Sequence, residues 1–179
     1  MRTYPSAAMA IPEVLLPNPG IDPARWAVVA CDQYTSQPEY WAETAKLAGD
    51  TPSTLHMIYP EVYLGEKEPD RRIASIRASM ERYLKEGVLK AHDGMVYVER
   101  QVGGRTRKGL VTCIDLERYD YNRGSTTLVR ATEGTILERI PPRVRIRKGA
   151  PLELPHILIL IDDPRDTVIV PVAARKAEL

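Results

Sequence analysis

The run from Pro155 to Pro164, PHILILIDDP, most narrowly limits what this chain can become. Five consecutive branched aliphatic residues, Ile157 to Ile161, stand inside it. Side chains alternate across a strand, so a strand of this composition is apolar on both faces. It predicts a central strand covered above and below, and hence helices packed on a sheet. Like every other apolar stretch in the sequence, this run is far short of the about 20 residues a membrane helix needs.

Other segments fill in the elements. Pro69-Asp70 opens an amphipathic helix in which Ile73, Ile76, Met80, Tyr83 and Leu84 recur every three to four residues, with Gly87 as its stop. Ser36 with Glu39 reads as a capping box. It predicts a helix over 37–48 that buries Tyr40, Trp41, Thr44 and Ala45 and ends at Gly49. WAVVA, Trp26 to Ala30, reads as a buried strand, and Thr54–Tyr59 as a short one ended by Pro60. Alternating segments around Gly103-Gly104 predict a hairpin. Thr127–Arg130 offers a short strand, and VRIRKG alternates as a strand with Arg145 and Arg147 facing water. AARKAEL looks helical but ends without a cap or a Gly, which suggests that more protein follows. Prolines at 5, 12, 17, 19 and 23 make residues 1–25 an extended arm, with Ile11–Leu16 as an edge strand. The expectation is one α+β domain over 1–179, a mixed β-sheet with a β-hairpin and at least two packed helices.

Net charge is +1, so no global field draws the chain to nucleic acid or membrane. Charge is nonetheless concentrated in RATEGTILERIPPRVRIRKG, which sets Arg130, Arg139, Arg143, Arg145, Arg147 and Lys148 around Glu133 and Glu138. Arginine suits forked contact with phosphate oxygens. ATEGT adds hydroxyls and a Gly that permits close backbone approach. The candidate anion site is therefore Arg130, Thr132, Glu133, Thr135, Arg139 and Arg143. Glu133 and Glu138 could serve as bases or magnesium ligands, or pair with neighbouring arginines. Asp32 and Gln33, between a strand and a helix start, form a candidate second wall.

Other chemistry is disfavoured. Cys31 and Cys113 make no CxxC pair, and Cys31 reads as a buried inert thiol. His92 and His156 form no metal spacing, and no metal site is expected. Asp162-Asp163-Pro164 could hold a metal, but reads first as a turn capped by Asp163. GGRTRKG resembles a phosphate loop in composition without the spacing. Arg139–Gly149 has no aromatic residue for stacking bases, which argues against nucleic acid. Cysteine usage and the absence of a signal-peptide pattern make the cytoplasm the default location.

Five blocks resemble a bacterial and archaeal family catalogued as domain of unknown function 1015: WAVVACDQYTSQPEYW, STLHMIYPEVYL, RKGLVTCIDLERYDY, RATEGTILERIPPR and LPHILILIDDP. They resemble its N-terminal half and span nearly the whole chain. Members are about twice as long and carry later an Asp-Gly-His-His-Arg or Asp-Gly-Asn-His block like that of the ParB-like superfamily, which includes a free serine kinase. This sequence has neither block, so it resembles an N-terminal fragment. The resemblance implies part of a nucleotide- or phosphometabolite-binding protein, a small-molecule phosphotransferase of ParB-like type. The alternative is a regulatory module that binds a small molecule or nucleotide without chemistry. The expected partner is a small phosphorylated molecule or nucleotide, with magnesium as the accompanying ion; a homo-oligomer stays open.

Overall fold

The computed structural model describes residues 2–132, 134, 136–154 and 156–176. In chain order it contains β1 (Thr3–Tyr4), β2 (Met9–Ala10), β3 (Val14–Pro17), α1 (Pro23–Trp26), α2 (Pro38–Ala48), α3 (Pro69–Lys85) and β4 (Leu89–His92). There follow β5 (Val96–Val102), β6 (Arg105–Val111), β7 (Cys113–Ile114), β8 (Tyr119–Asp120), β9 (Val129–Arg130), α4 (Ile140–Arg147) and α5 (Ile169–Ala174). The fold class is α+β. Strand pairing among the described residues is spread over four small sheets, antiparallel in β1-β2-β7 and β5-β6 and parallel in β8-β9, with β3 paired to β4. The chain divides into two compact units.

One unit comprises Leu16–Lys90 and Ile136–Leu158. Its core gathers Met57, Tyr59, Ile73, Ile76, Met80, Tyr83 and Val88. Four of these seven come from one face of α3, as the three-to-four-residue spacing requires. Leu84, expected on that face, stays 38% exposed. Pro69 starts α3 where no amide donor is needed, and Asp70 complements the positive end of the helix. Gly87 adopts φ +68°, Val88 N–H donates to Tyr83 C=O at 3.0 Å and Gly87 N–H to Leu84 C=O at 3.3 Å. That is a Schellman stop, and Val88 folds back onto Tyr83 in the core.

Tyr83 carries its hydroxyl into this core. The hydroxyl accepts from Ser53 N–H at 3.0 Å and lies 2.7 Å from His56 Nδ1. Ser53 is fully buried, and Ser53 and Thr54 hydroxyls donate to Trp26 C=O at 3.4 and 2.8 Å. These bonds account for two differences from the sequence reading. Thr54–Met57 is a 3-10 turn, not a strand, because Ser53 Oγ accepts from Leu55 N–H and starts it. Residues 26–30 are not a buried strand: Asp22 caps Ala24 N–H at 3.0 Å, Pro23 follows, and the chain turns into α1 up to Trp26. α2 buries Trp41 and Ala48 and ends at Gly49 as expected, but Ala45 is exposed. Its N-cap is Gln37 without a side-chain cap, because Pro38 pushes the preceding residue out of helical geometry; the Ser36–Glu39 box does not form.

The second unit comprises Met1–Leu15, Ala91–Thr135 and Ile159–Leu179. The first 25 residues of the chain, expected as an extended arm, carry β1 to β3 and α1. β2 sits between β1 and β7, with Met9 opposite Tyr4 and Ile114. The hairpin forms as read, Val102 opposite Arg105, with Gly103 and Gly104 at φ +55° and +74°, the signature of a two-residue primed turn. β8 and β9 pair Tyr119 with Val129 and Asp120 with Arg130.

Two strand expectations are overturned outright. VRIRKG is not a strand; residues 140–147 are α4. Pro141 and Pro142 lie in its first turn, where fixed φ favours a helix and no amide donor is needed. Ile157–Ile161 is not a central strand and has no regular structure, its side chains between 48% and 84% exposed. Strand preference takes effect through pairing and burial, and among the described residues nothing pairs with this run.

Replacing Tyr83 with Phe leaves Ser53 N–H and His56 without their buried partner and should cost about 1–3 kcal/mol in urea unfolding. His56 adds a pH dependence. Burial, and then the like charge of Arg82, hold its pKa below the ordinary 6.5. The folded chain thus resists a proton that the unfolded chain accepts. Stability is full above 6.5 and falls as pH drops from there through the lowered folded value. Unfolding at about pH 7.5 and about pH 5 should show a smaller difference in His56→Asn than in the parent.

Candidate functional site

α4 and the turn before it carry most of the cationic cluster. Arg139 and Arg143 are four residues apart and so project from the same side. Both reach Glu61, which opens a 3-10 turn, Glu61–Tyr63, directly after Pro60. Arg139 Nη1 lies 3.4 Å from one carboxylate oxygen, and Arg143 Nη2 donates to the other. The Glu61 side chain is 7% exposed, whereas the arginines are 48% and 49% exposed. Glu61 N–H donates to Cys31 C=O at 2.8 Å, so the loop before α2 is tied to the same point.

The remaining cations are placed differently. Arg145 pairs with Asp70 in the first turn of α3, and Arg147 with Glu153 at 3.0 Å. Arg77 on α3 donates to Arg145 C=O at 3.0 Å and to Lys148 C=O. A guanidinium thus covers carbonyls at the C-terminal end of α4, where a cation is favoured.

Cys31 and Asp32 lie within electrostatic reach of Arg143. Burial, then the carboxylates of Asp32 and Glu61, push the Cys31 thiol upward, with Arg143 opposing. A thiol held protonated is a poor nucleophile, which agrees with the inert reading. The Arg143 pKa is raised first by its bond to Glu61. Asp32 is exposed and accepts from Gln33 Nε2 at 3.4 Å. Asp32, Arg139 and Arg143 therefore share one unit, with Glu61 between them in charge.

Arg130 and Thr132 are exposed and belong to the other unit, Arg130 on β9. Glu133 and Thr135 lie outside the described residues. Asp163 fills the capping role: it accepts from Thr167 N–H at 3.0 Å, Thr167 Oγ1 at 2.9 Å and Val168 N–H at 2.8 Å, bonds that lower its pKa. Among the described residues, no group of three or more His, Cys, Asp or Glu side chains could hold a metal ion. Nor is any helix among them long and apolar enough to cross a membrane.

Sequence reasoning missed Glu61, the residue that gathers the arginines. No Lys or Arg lies within five residues of it, and its partners lie 78 and 82 positions away. It also missed a cavity of about 190 Å³ beside α2 and α3, lined by Trp41, His56, Tyr63, Arg72, Ser75 and Ser79 among others. Trp41 Nε1 is buried without a hydrogen-bond partner. Arg72 stands over the Tyr63 ring at 4.0 Å and bonds Glu66 at 2.8 and 2.9 Å. Tyr59 donates to the same carboxylate at 2.7 Å, and burial with that bond raises its pKa to about 12.

Glu61→Gln leaves two guanidiniums facing a neutral amide. Because the arginines are half-exposed, the loss should be about 1–2 kcal/mol rather than that of a fully buried pair. Asp70→Asn, at an exposed bridge, should lose less than about 1 kcal/mol. Urea unfolding of both variants checks the order.

No curated protein and no solved structure matches the chain. Residues 15–179 match the family described as "Protein of unknown function (DUF1015)". The match covers almost the whole chain and includes α4, Glu61 and the loop at Asp32, so this protein belongs to the DUF1015 family.

Proposed function

We propose that the protein binds a small phosphorylated molecule or nucleotide through Arg139 and Arg143. The supporting observation is that two half-exposed guanidiniums converge on one nearly buried carboxylate. Glu61 takes up one unit of charge and only some of the donors, since each guanidinium has more N–H groups than a shared carboxylate can accept. One positive charge and several outward donors remain, in a geometry fixed before any guest arrives. Fixing donors in advance reduces the ordering entropy lost on binding. Asp32 offsets part of the excess, so the attraction for an anion here is moderated rather than strong. Gln33, next to Asp32, completes the proposed set of site residues in this unit, while Arg130, Thr132, Glu133 and Thr135 are proposed as anion contacts of the other unit by themselves.

The family resemblance extends this reading to a small-molecule phosphotransferase of ParB-like type. In such chemistry arginines stabilise charge on the transferring group. The second reading is binding without chemistry, and the cavity lined by Trp41, His56, Ser75 and Ser79 favours it, since its polar side chains suit a small guest that carries acceptors.

Titration calorimetry with ATP, ADP, CTP and inorganic phosphate, with and without magnesium, tests the first reading. Arg143→Ala and Arg139→Ala should each weaken binding at least about tenfold, the equivalent of one charge-assisted bond. Arg143→Ala should cost less than about 1 kcal/mol of stability, because Arg139 still serves Glu61. Unchanged affinity in both variants would reject the site. ADP release from ATP, magnesium and serine separates transfer from binding alone.

A further inference from the structure

Ile157 to Ile161 is the most exposed apolar run on the chain. All five side chains are exposed, Ile157 by 84% and Leu160 by 76%. Among the described residues, no backbone N–H or C=O of these five takes part in a hydrogen bond, and no strand lies beside them. Five branched aliphatics in succession strongly favour a strand, yet this one has neither ladder nor cover. Contiguous exposed apolar surface of this kind marks an interaction site or an aggregation hazard.

The sequence says which partner fits. Ile157-Leu158-Ile159-Leu160-Ile161 reads the same in both directions. Two antiparallel copies related by a two-fold axis through Ile159 would place Ile157 opposite Ile161 and Leu158 opposite Leu160, on both strands at once. Isoleucines then meet isoleucines on one face of the ladder, and leucines meet leucines on the other. The flanks match too. The same register sets His156 opposite Asp162, an imidazole against a carboxylate. Opposite charges across an antiparallel pair are favourable, and like charges are not. A parallel pairing would instead set Asp162 against Asp162. Pro155 and Pro164 supply no donors and close the ladder after about eight residues, so pairing stops at a dimer's length instead of propagating along the chain.

We propose that residues 156–162 form a homodimer interface, an antiparallel strand pair with a second copy of this chain, centred on Ile159. The interface is isologous, as two-fold symmetry requires.

Sedimentation velocity on the 179-residue chain, from about 5 to about 200 µM, tests it, a range suited to a short interface of modest affinity. The expected result is a concentration-dependent rise to twice 20.1 kDa. Ile159→Lys places two ammonium groups at the axis and should hold the chain at 20.1 kDa with an unchanged far-ultraviolet spectrum, since Ile159 is 48% exposed and not part of a core. Orientation is read by oxidative cross-linking after replacing Cys31 and Cys113 with Ser. Ile157→Cys mixed with Ile161→Cys should give a covalent dimer faster than either alone. A mass that stays at 20.1 kDa, a Lys variant that still dimerises, growth beyond a dimer, or preferred cross-linking of 157 to itself would each overturn the proposal.

Discussion

A carboxylate removed from water costs several kcal/mol unless cations and donors meet it, and Glu61 is in that position with its side chain 7% exposed. It opens the Glu61–Tyr63 turn directly after Pro60, two residues beyond Tyr59 of the core in sequence. Two guanidiniums can reach it from one segment only if they share a side of that segment. Residues four apart share a side on a helix and on a strand alike, but they stand about 6 Å apart on a helix and about 13 Å apart along a strand, too far to meet on one carboxylate; Arg139 and Arg143 are four apart. The requirement at Glu61 therefore favours helical geometry over the strand that the alternation of VRIRKG suggests. The prolines raise no objection in the first turn, and Arg77 covers the far end. Ile146, Ala150, Leu152 and Leu154 add apolar contact to the same core. α4 is thus held by charge at its start and middle, by a guanidinium at its end, and by packing beneath.

That dependence explains what could be read from the residues in order. α3, its glycine stop and the Gly103-Gly104 hairpin were legible because their signals are local: apolar spacing, a proline start, a left-handed stop, a two-residue turn. The buried Trp41 and the Gly49 stop of α2 were legible for the same reason. The strands expected at Trp26–Ala30 and Thr54–Tyr59 failed because polar bonds across 27 to 30 positions, among Trp26, Ser53, Thr54, His56 and Tyr83, determine the chain path there. No periodicity encodes such bonds. The arginines were visible as a cluster, and Asp32 as a neighbour in charge, but Glu61 was not, because its partners come from a segment far along the chain. Ile157–Ile161 failed in the opposite way: its local signal was strong, but a strand is completed by its partner.

The charge arrangement also limits what the arginine pair can do. A phosphate approaching from the Glu61 side would meet a carboxylate, and one that displaced it would leave Glu61 buried and unpaired. The guest must therefore use the outward N–H groups and leave the Glu61 bonds intact. Glu61 positions the arginines without touching the guest, and its charge also weakens the attraction they exert. Affinity from this pair alone is then modest. A tight or selective site would need donors beyond this pair. A pair held in place by a buried acid, with its remaining donors turned outward, is suited to orienting a phosphate that other groups hold.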